Sequence, residues 1–248
     1  MSRRYEGKIV LVTASASGIG LGISRRLAQE GATVIISSRN KTNIDAAVKE
    51  LQKEGLNPDG FPCHVGKKDD RDKLLEYIRT KYGRLDALVL NAAVATHFGN
   101  LFDTTETQFD KTFEVNVKAV FFMVKEYHSI MPKGSAILLI SSYEAYALDK
   151  TIGVYAVTKT AMLGMTKLLA HELKEVGIRV NCIAPGLIRT KFAGALLTHE
   201  EVIKERLGID RVGDPQDIAG AAAFLCSKDA DYVIGETLSV AGFVSQRL

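Results

Sequence analysis

The chain has little of what marks several classes of protein. Its 248 residues include no tryptophan, five prolines and three cysteines. Cys63, Cys182 and Cys226 are odd in number, and each lies in or beside an apolar run rather than at disulfide or metal-ligand spacing. We therefore expect three buried thiols and a reducing compartment.

The chain also has little excess of either sign of charge and few long apolar runs. The formal net charge is only +3 and is dispersed along the chain, which argues against nucleic acid or an anionic membrane as a partner. The apolar run Ile9–Val12 is too short for a signal-peptide core or a membrane span. Because no linker, repeat or shift in composition divides the chain, we expect a single domain over residues 1–248 without a membrane span.

Short β-branched runs alternate with longer segments of helical period, a pattern that predicts a parallel sheet flanked by helices. The predicted strands are Lys8–Thr13, Thr33–Ser37, Asp59–Cys63, Ala87–Leu90, Ala136–Ser141, Arg179–Ala184 and Thr237–Val240. Most are continuously apolar, as strands covered on both faces are. The predicted helices are Ile19–Glu30, Thr42–Glu54, Lys68–Tyr82, Glu106–Met131, Gly153–Val176 and Pro215–Cys226. This order indicates an α/β fold with three layers.

Two of the predicted helices are too apolar to be packed on one side only. Their apolar residues are Val115, Val117, Val120, Phe121 and Phe122 in the first, and Ala161, Met162, Met165, Leu168 and Leu169 in the second. A second buried face predicts a subunit partner, and a wholly intramolecular contact is the alternative.

A glycine-rich turn follows the first strand, and a helix begins directly after it. The turn reads Thr13-Ala14-Ser15-Ala16-Ser17-Gly18-Ile19-Gly20. Glycines allow backbone N–H groups to approach a pyrophosphate, and the helix N-terminus adds partial positive charge there. A merely tight connection is the alternative interpretation.

The end of the second strand predicts which nicotinamide cofactor is used. An acidic residue there would accept hydrogen bonds from the ribose of NAD(H), whereas the extra phosphate of NADP(H) needs a cation. The chain has Ser38 and Arg39 at this point, and a guanidinium suits a phosphate. The sequence therefore favours NADP(H), with a solvated surface cation as the alternative reading of Arg39.

The strongest catalytic signal is Ser142 followed by Tyr155 and Lys159. A tyrosine with a pKa of about 10 is a poor acid or base at neutral pH, so a lysine one helical turn away would favour the tyrosinate. Ser142 would donate a hydrogen bond to a substrate oxygen as charge develops there. An exposed i, i+4 pair is the alternative for Tyr155 and Lys159 taken alone.

Together these motifs resemble the short-chain dehydrogenase/reductase superfamily. The order of the phosphate loop, Asn91-Ala92-Ala93, Ser142, Tyr155-x-x-x-Lys159 and Pro185-Gly186-Leu187-Ile188-Arg189-Thr190 matches that family over essentially the whole chain. The resemblance implies a Rossmann-type, doubly wound sheet of seven parallel strands. It also implies a catalytic tetrad in which Asn116 joins Ser142, Tyr155 and Lys159 and holds a water that connects Lys159 to solvent.

The same resemblance implies a set of residues at the cofactor. These residues are Ser15, Ser17, Gly18, Ile19, Gly20, Ser38, Arg39, His64, Val65, Asn91, Ala92, Ala93, Tyr155, Lys159, Pro185, Gly186, Ile188 and Thr190. Thr190 and the Ile188 backbone would hold the nicotinamide carboxamide. Ala14 and Ala93 replace family glycines, and a positive φ at Ala14 would require local adjustment. His64 replaces a family aspartate on the adenine side, and a structural histidine is the alternative.

Further segments are similar to the peroxisomal NADPH-dependent retinol dehydrogenase/carbonyl reductase group within this superfamily. They are Val12-Thr13-Ala14-Ser15, Ser37-Ser38-Arg39, Cys63-His64-Val65-Gly66, Asn91-Ala92-Ala93-Val94, Ala184-Pro185-Gly186-Leu187-Ile188 and Phe224-Leu225-Cys226-Ser227. That similarity implies reduction of aromatic ketones, α-dicarbonyls, quinone-like diketones or retinal by a homotetramer, with a homodimer as the alternative.

The substrate side is expected under an irregular lid at residues 187–211, since ligands of open α/β sheets bind beyond the strand ends. Its apolar pocket would comprise Tyr143, Tyr146, Phe192, Leu196 and Leu197 with Ser142 and Tyr155, and ordinary packing is the alternative for each of the five. The C-terminal segment Ser245-Gln246-Arg247-Leu248 predicts a peroxisomal address, with a cytoplasmic location as the alternative. Two other functions stay open: a catalytically silent NADP(H) sensor or scaffold, and an NAD-dependent dehydrogenase.

Overall fold

The computed structural model describes residues 3–194, 201, 204–205 and 208–243. Within them the strands are β1 (Ile9–Thr13), β2 (Thr33–Ser38), β3 (Pro58–Pro62), β4 (Ala87–Leu90), β5 (Ala136–Ile140), β6 (Arg179–Pro185) and β7 (Thr237–Val240). The helices are α1 (Gly18–Gln29), α2 (Lys41–Lys53), α3 (Lys68–Tyr82), α4 (Glu106–Phe113), α5 (Ala119–Tyr127), α6 (Glu144–Ala147), α7 (Gly153–Leu173) and α8 (Pro215–Leu225).

All strand pairs in the sheet are parallel, in the order β3-β2-β1-β4-β5-β6-β7. The chain runs outward from β1 to β3 and then returns to the other side of β1 with β4. The switch point of this doubly wound sheet therefore lies between the carboxyl ends of β1 and β4, where such folds bind ligands. The predicted fold class is confirmed.

Helices cover both faces of the sheet because successive strand residues point to opposite sides. Leu11 belongs to a core with Leu74 and Met162, on the side of α3 and α7. Its neighbours Val10 and Val12 belong to a second core with residues of α1 and α8. Full burial of β4, β5 and β6 explains why their sequences are apolar throughout rather than alternating.

One predicted helix is broken in the structure. The segment expected as Glu106–Met131 consists of α4, a stretch of π-helix over Glu114–Lys118, α5 and a 3₁₀ turn at His128–Ile130. A π stretch adds one residue to a turn and shifts the side chains that follow it, and such stretches occur frequently at functional sites. Asn116 lies in this stretch.

Ala14 has a φ of +49°, the left-handed conformation that the sequence analysis considered for it. A side chain costs about 1–2 kcal/mol there, against about 0.4–1 kcal/mol for the added freedom of glycine in the unfolded chain. We expect Ala14→Gly to raise the melting temperature by about 1–3 °C, measured by circular dichroism. Ala16→Gly, in the same loop but without positive φ, should lower it. A lower melting temperature for Ala14→Gly would contradict the strain.

Candidate active site

The end of β1 is tied directly to the end of β4. The Thr13 hydroxyl accepts hydrogen bonds from the backbone N–H groups of Asn91 (2.9 Å) and Ala92 (3.1 Å). The Asn91 side chain donates in return to the carbonyls of Thr13 (3.1 Å) and Ala14 (3.2 Å). These bonds fix the glycine-rich loop at the switch point. Thr13 was not among the predicted site residues; its signal is a hydroxyl at the last position of an otherwise apolar strand.

Two glycines keep this loop close to its neighbours. Gly18 has a φ of +57°, and a Cβ on Gly20 would lie 2.6 Å from the Ala14 carbonyl oxygen. The buried Ser15 hydroxyl donates to the Val12 carbonyl (2.6 Å) and accepts from the Ser37 N–H (3.0 Å). The side chain of Ser15 therefore ties the loop to β1 and β2, and α1 begins immediately afterwards.

A cavity of about 200 Å³ lies over this loop and the ends of β2 and β3. It is lined by Ala14, Ala16, Ser17, Ser38, Arg39, Asn40, Asn43, Cys63, His64, Val65, Ala92, Ala93, Val94 and Val115. The exposed Arg39 makes no ion pair with any described residue. A glycine-lined helix N-terminus beside an unpaired guanidinium fits a dinucleotide that carries an additional phosphate.

The segment after β6 approaches the same loop. A Cβ on Gly18 would lie 3.2 Å from Cγ2 of Thr190, so these two predicted cofactor residues are neighbours. Ile188 forms an isolated bridge with Gly213, and Gly186 packs so closely against Ala241 that a Cβ there would lie 2.7 Å from its Cα. Pro185 accepts a hydrogen bond from the Tyr143 N–H (2.7 Å). The structure thus brings the glycine-rich loop after β1 and the segment after β6 together, as predicted.

The predicted catalytic residues meet at the end of β5. The Ser142 hydroxyl interacts with the hydroxyl of Tyr155 and accepts a hydrogen bond from the Glu144 N–H (3.1 Å). Lys159 is buried, and its Nζ lies 5.5 Å from the centroid of the Tyr155 ring. Nζ donates to the Ile140 carbonyl at 2.7 Å. Neither Glu144 nor the Ile140 carbonyl was predicted, because neither belongs to a motif.

Asn116 lies in the π stretch and contacts the helix that carries Tyr155 and Lys159. Its Oδ1 accepts from the Val94 N–H (2.8 Å), and its Nδ2 donates to the Val94 carbonyl (2.9 Å) and the Thr158 hydroxyl (3.0 Å). Thr158 precedes Lys159 in α7, and its hydroxyl donates to the Tyr155 carbonyl at 2.7 Å. Asn116 therefore connects the segment after β4 to the helix that carries Tyr155 and Lys159. The water between Asn116 and Lys159 stays a prediction.

Burial shifts the pKa values of both catalytic groups of α7. It raises the pKa of Tyr155 to about 12, with the Glu144 carboxylate acting in the same direction and the Ser142 hydrogen bond against it. Burial also lowers the pKa of Lys159 to about 8. Lys159 Nζ is bound to the Ile140 carbonyl, and the stabilisation of a tyrosinate by its ammonium group stays a prediction.

These shifts predict the pH dependence of carbonyl reduction. Tyr155 stays protonated to about pH 12, whereas Lys159 loses its charge above about pH 8 and can then no longer stabilise a tyrosinate. We expect kcat/KM, which reports the free enzyme, to fall as pH rises through about 8. Lys159→Arg, which keeps its charge at high pH, should remove that fall. A wild-type profile that stays flat to pH 10 would contradict the assignment.

The predicted substrate residues are brought together in part. The Phe192 ring lies 5.8 Å from the Tyr155 ring and is 54% exposed. Tyr143 is the N-cap residue of α6 and Tyr146 lies within that helix, both close in sequence to Ser142. Leu196, Leu197 and the C-terminal residues 245–248 lie outside the described residues, so the pocket wall and the peroxisomal address stay predictions. Much of the predicted lid, including 195–200, also lies outside them.

Other features of the described residues bear on the remaining predictions. All three cysteines are free and buried, as expected. No group of three potential metal-ligand side chains occurs in the described part of the chain, and no helix there is both long and apolar enough to span a membrane.

Comparisons with known proteins agree with this geometry. A family model described as enoyl-(acyl carrier protein) reductase matches residues 13–243. A "Dehydrogenase/reductase SDR family member 4" from Sus scrofa is 50% identical over 248 residues, covering 98% of this chain and 89% of the relative.

Solved structures agree as well. A short-chain dehydrogenase/reductase, glucose/ribitol dehydrogenase, from Brucella melitensis has a TM-score of 0.93 at 27% identity over all of both chains. L-Sorbose reductase from Gluconobacter frateurii, complexed with NADPH and L-sorbose, has a TM-score of 0.92 at 28% identity, again over all of both chains. With the parallel sheet, the glycine loop and the Ser142, Tyr155 and Lys159 arrangement already described, these matches show that the chain belongs to the short-chain dehydrogenase/reductase family.

Proposed function

We propose that this protein reduces apolar ketones, α-dicarbonyls, quinone-like diketones or retinal with NADPH, and that Tyr155 is the general acid. Family membership and a structural neighbour complexed with NADPH support an NADP(H)-dependent oxidoreductase. The observation that carries the proposal is the position of Tyr155: its hydroxyl interacts with Ser142, Lys159 Nζ lies 5.5 Å from its ring centroid, and the exposed Phe192 ring lies 5.8 Å from its ring.

The chemistry follows from what these side chains can donate. When bound, the cofactor supplies the hydride. Ser142 and Tyr155 both present hydroxyl groups at the end of β5, so a carbonyl oxygen placed between them would receive two hydrogen bonds as it gains negative charge. Tyr155 then transfers its proton to that oxygen. The ammonium group of Lys159, 5.5 Å from the ring centroid, stabilises the tyrosinate that remains.

The preference for apolar carbonyls is supported by the surroundings of Tyr155. The Phe192 ring lies 5.8 Å from the Tyr155 ring and is 54% exposed. An apolar substrate would shield it from water, which stabilises the complex by roughly 25 cal/mol per Å² of buried apolar area.

The direct test follows NADPH absorbance with an aromatic ketone, an α-dicarbonyl, a quinone-like diketone and retinal. L-Sorbose serves as the polar control, because a structural neighbour was solved with that sugar. We expect kcat/KM for the best apolar carbonyl to exceed that for L-sorbose by at least about 100-fold. A preference for the sugar would overturn the proposed substrate class. Failure to oxidise NADPH with any carbonyl would favour the sensor or scaffold alternative.

Assembly into a homotetramer or homodimer is part of the same proposal. Phe121 on α5 and Val157 and Leu168 on α7 are 40%, 51% and 64% exposed in the single chain. These side chains lie on the two helices whose sequences predict a second buried face. A two-fold axis would bury them against the same helices of a second copy.

We expect light scattering at micromolar concentration to give two or four times the chain mass of 27.0 kDa. Leu168→Glu should shift the protein toward smaller species, because a charge would be buried without a partner. Val176→Glu is the matched control, since Val176 is 52% exposed but lies beyond the end of α7. A monomeric wild type would contradict the assembly.

A further inference from the structure

Thr158 lies between Tyr155 and Lys159 on α7 and is fully buried. Its hydroxyl accepts a hydrogen bond from Asn116 Nδ2 at 3.0 Å and donates one to the Tyr155 carbonyl at 2.7 Å. The directions of both bonds are fixed, because an amide nitrogen only donates, a carbonyl only accepts and a hydroxyl has one proton. Thr158 therefore joins Asn116 to the turn of α7 that carries the two catalytic side chains.

The other end of this connection lies on the segment after β4. Asn116 is buried, and its side chain exchanges hydrogen bonds with both backbone groups of Val94, at 2.8 Å and 2.9 Å. The two N–H protons of its amide are thus divided between Val94 and Thr158. Val94 lines the cavity assigned to the cofactor, together with Ala92 and Ala93. Thr158, Asn116 and Val94 therefore form a hydrogen-bonded strut from α7 to the wall of that cavity.

Other bonds hold the same turn of α7 against the end of β5 and against α6. The Ser141 hydroxyl donates to the Lys159 carbonyl at 2.8 Å, and the Thr160 hydroxyl donates to the Ala145 carbonyl at 3.0 Å. These bonds relate α7 to the part of the site that carries the catalytic serine. The strut adds a hydrogen-bonded connection to the cofactor side.

We propose that Thr158 is a positioning residue for the proton transfer by Tyr155: through Asn116 and Val94, its hydroxyl sets the distance between the tyrosine and the cofactor cavity. The inference rests on the carbonyl reduction of the proposed function, but on no particular substrate. Hydride and proton must reach the two atoms of one carbonyl group, so this distance has to match the length of that group. A displacement of about 1 Å at a reacting centre can cost about 100-fold in rate.

Thr158→Val removes the hydroxyl and keeps the branching of the side chain. One buried N–H of Asn116 then has no acceptor, so we expect that side chain to move and kcat for one good ketone to fall by about 10- to 100-fold. The Tyr155 carbonyl keeps its helical bond from the Lys159 N–H, so the loss of its second donor should contribute little. The Kd for NADPH, measured by fluorescence titration, should stay within about threefold of the wild-type value, because the change affects the chemical step rather than binding. Thr158→Ser keeps the hydroxyl and should keep kcat within about threefold of the wild type.

A double-mutant cycle tests whether Thr158 acts through Asn116. In an Asn116→Ala background the strut is already broken, so adding Thr158→Val should lower kcat by no more than about twofold. Thr166→Val is the matched control, because Thr166 is also fully buried in α7 and its hydroxyl donates to the Met162 carbonyl at 2.7 Å. It should lower the melting temperature about as much as Thr158→Val and leave kcat within about twofold of the wild type.

Three results would overturn the inference. They are a Thr158→Val variant with kcat within about twofold of the wild type, a Thr158→Ser variant as slow as Thr158→Val, and a double variant whose loss is the product of the two single losses. If Thr158→Val does not fold, Thr158→Ala replaces it in every comparison. A wild type that oxidises NADPH with no carbonyl removes the proposed function and this inference with it, whereas an active wild type with an unimpaired Thr158→Val variant removes the inference alone.

Discussion

Tyr155→Phe is expected to lower kcat/KM for carbonyl reduction by a factor of about 10² to 10⁴, the range for loss of general acid catalysis. The variant removes only the hydroxyl that Ser142 contacts. Its ring still packs at the position beside Phe192, so the fold and the Kd for NADPH should stay close to the wild-type values. Initial rates of NADPH oxidation with one good ketone, together with a binding titration, measure the two effects separately.

Tyr143→Phe is the matched control for that experiment. Tyr143 adjoins Ser142 in sequence, and its backbone N–H, rather than its side chain, makes the bond to Pro185. Loss of the Tyr143 hydroxyl in this variant should change kcat/KM by no more than a few-fold. Equal losses in both variants would show that Tyr155 acts through packing, and turnover near the wild-type rate in Tyr155→Phe would contradict its role as the proton donor.

The inner strands could be predicted closely from the sequence, because parallel strands covered on both faces are continuous apolar runs. The predicted Thr237–Val240 and Ala87–Leu90 coincide with β7 and β4, and each of the other strands differs by one residue at one or both ends. The same argument places Asn91 and Ser142 correctly, since each follows such a run.

The break between α4 and α5 could not be predicted in this way. Val115, Val120 and Val124 are all buried, so the helical pattern continues through the π stretch. The break depends on the pairing of Asn116 with both backbone groups of Val94, which is 22 residues away in sequence. A long-range contact of this kind leaves no periodic signal.

The pKa values of Tyr155 and Lys159 could not be predicted from the sequence either. The spacing of Tyr155 and Lys159 predicts their proximity, which is confirmed, but not the desolvation that shifts both pKa values. Both pKa values are governed by burial. Lys159 also finds a carbonyl partner on β5, Ile140, that only the folded sheet brings near it.

The preference for NADPH over NADH is expected to depend on Arg39. Arg39 lines the cofactor cavity and makes no ion pair with a described residue, so its guanidinium can bind the ribose phosphate. A charge-assisted hydrogen bond contributes roughly 1.5–3 kcal/mol, which corresponds to about 10- to 150-fold in Kd. Arg39→Ala should therefore raise KM for NADPH by about that factor and leave NADH nearly unchanged. Steady-state kcat/KM for both cofactors with one saturating ketone is the measurement.

Adding a carboxylate at Ser38 should invert the preference. Ser38 is half-buried at the end of β2, and its hydroxyl donates only to the Asn40 carbonyl at 3.3 Å among the described residues. An aspartate there would repel the phosphate of NADPH and accept hydrogen bonds from the ribose of NADH, so the Ser38→Asp, Arg39→Ala double variant should prefer NADH. Lys41→Ala is the matched control, since Lys41 is already paired with Asp45 at 2.9 Å. If the wild type prefers NADH, or if Arg39→Ala weakens both cofactors equally, Arg39 is only a surface cation, because a phosphate contact must distinguish the two cofactors.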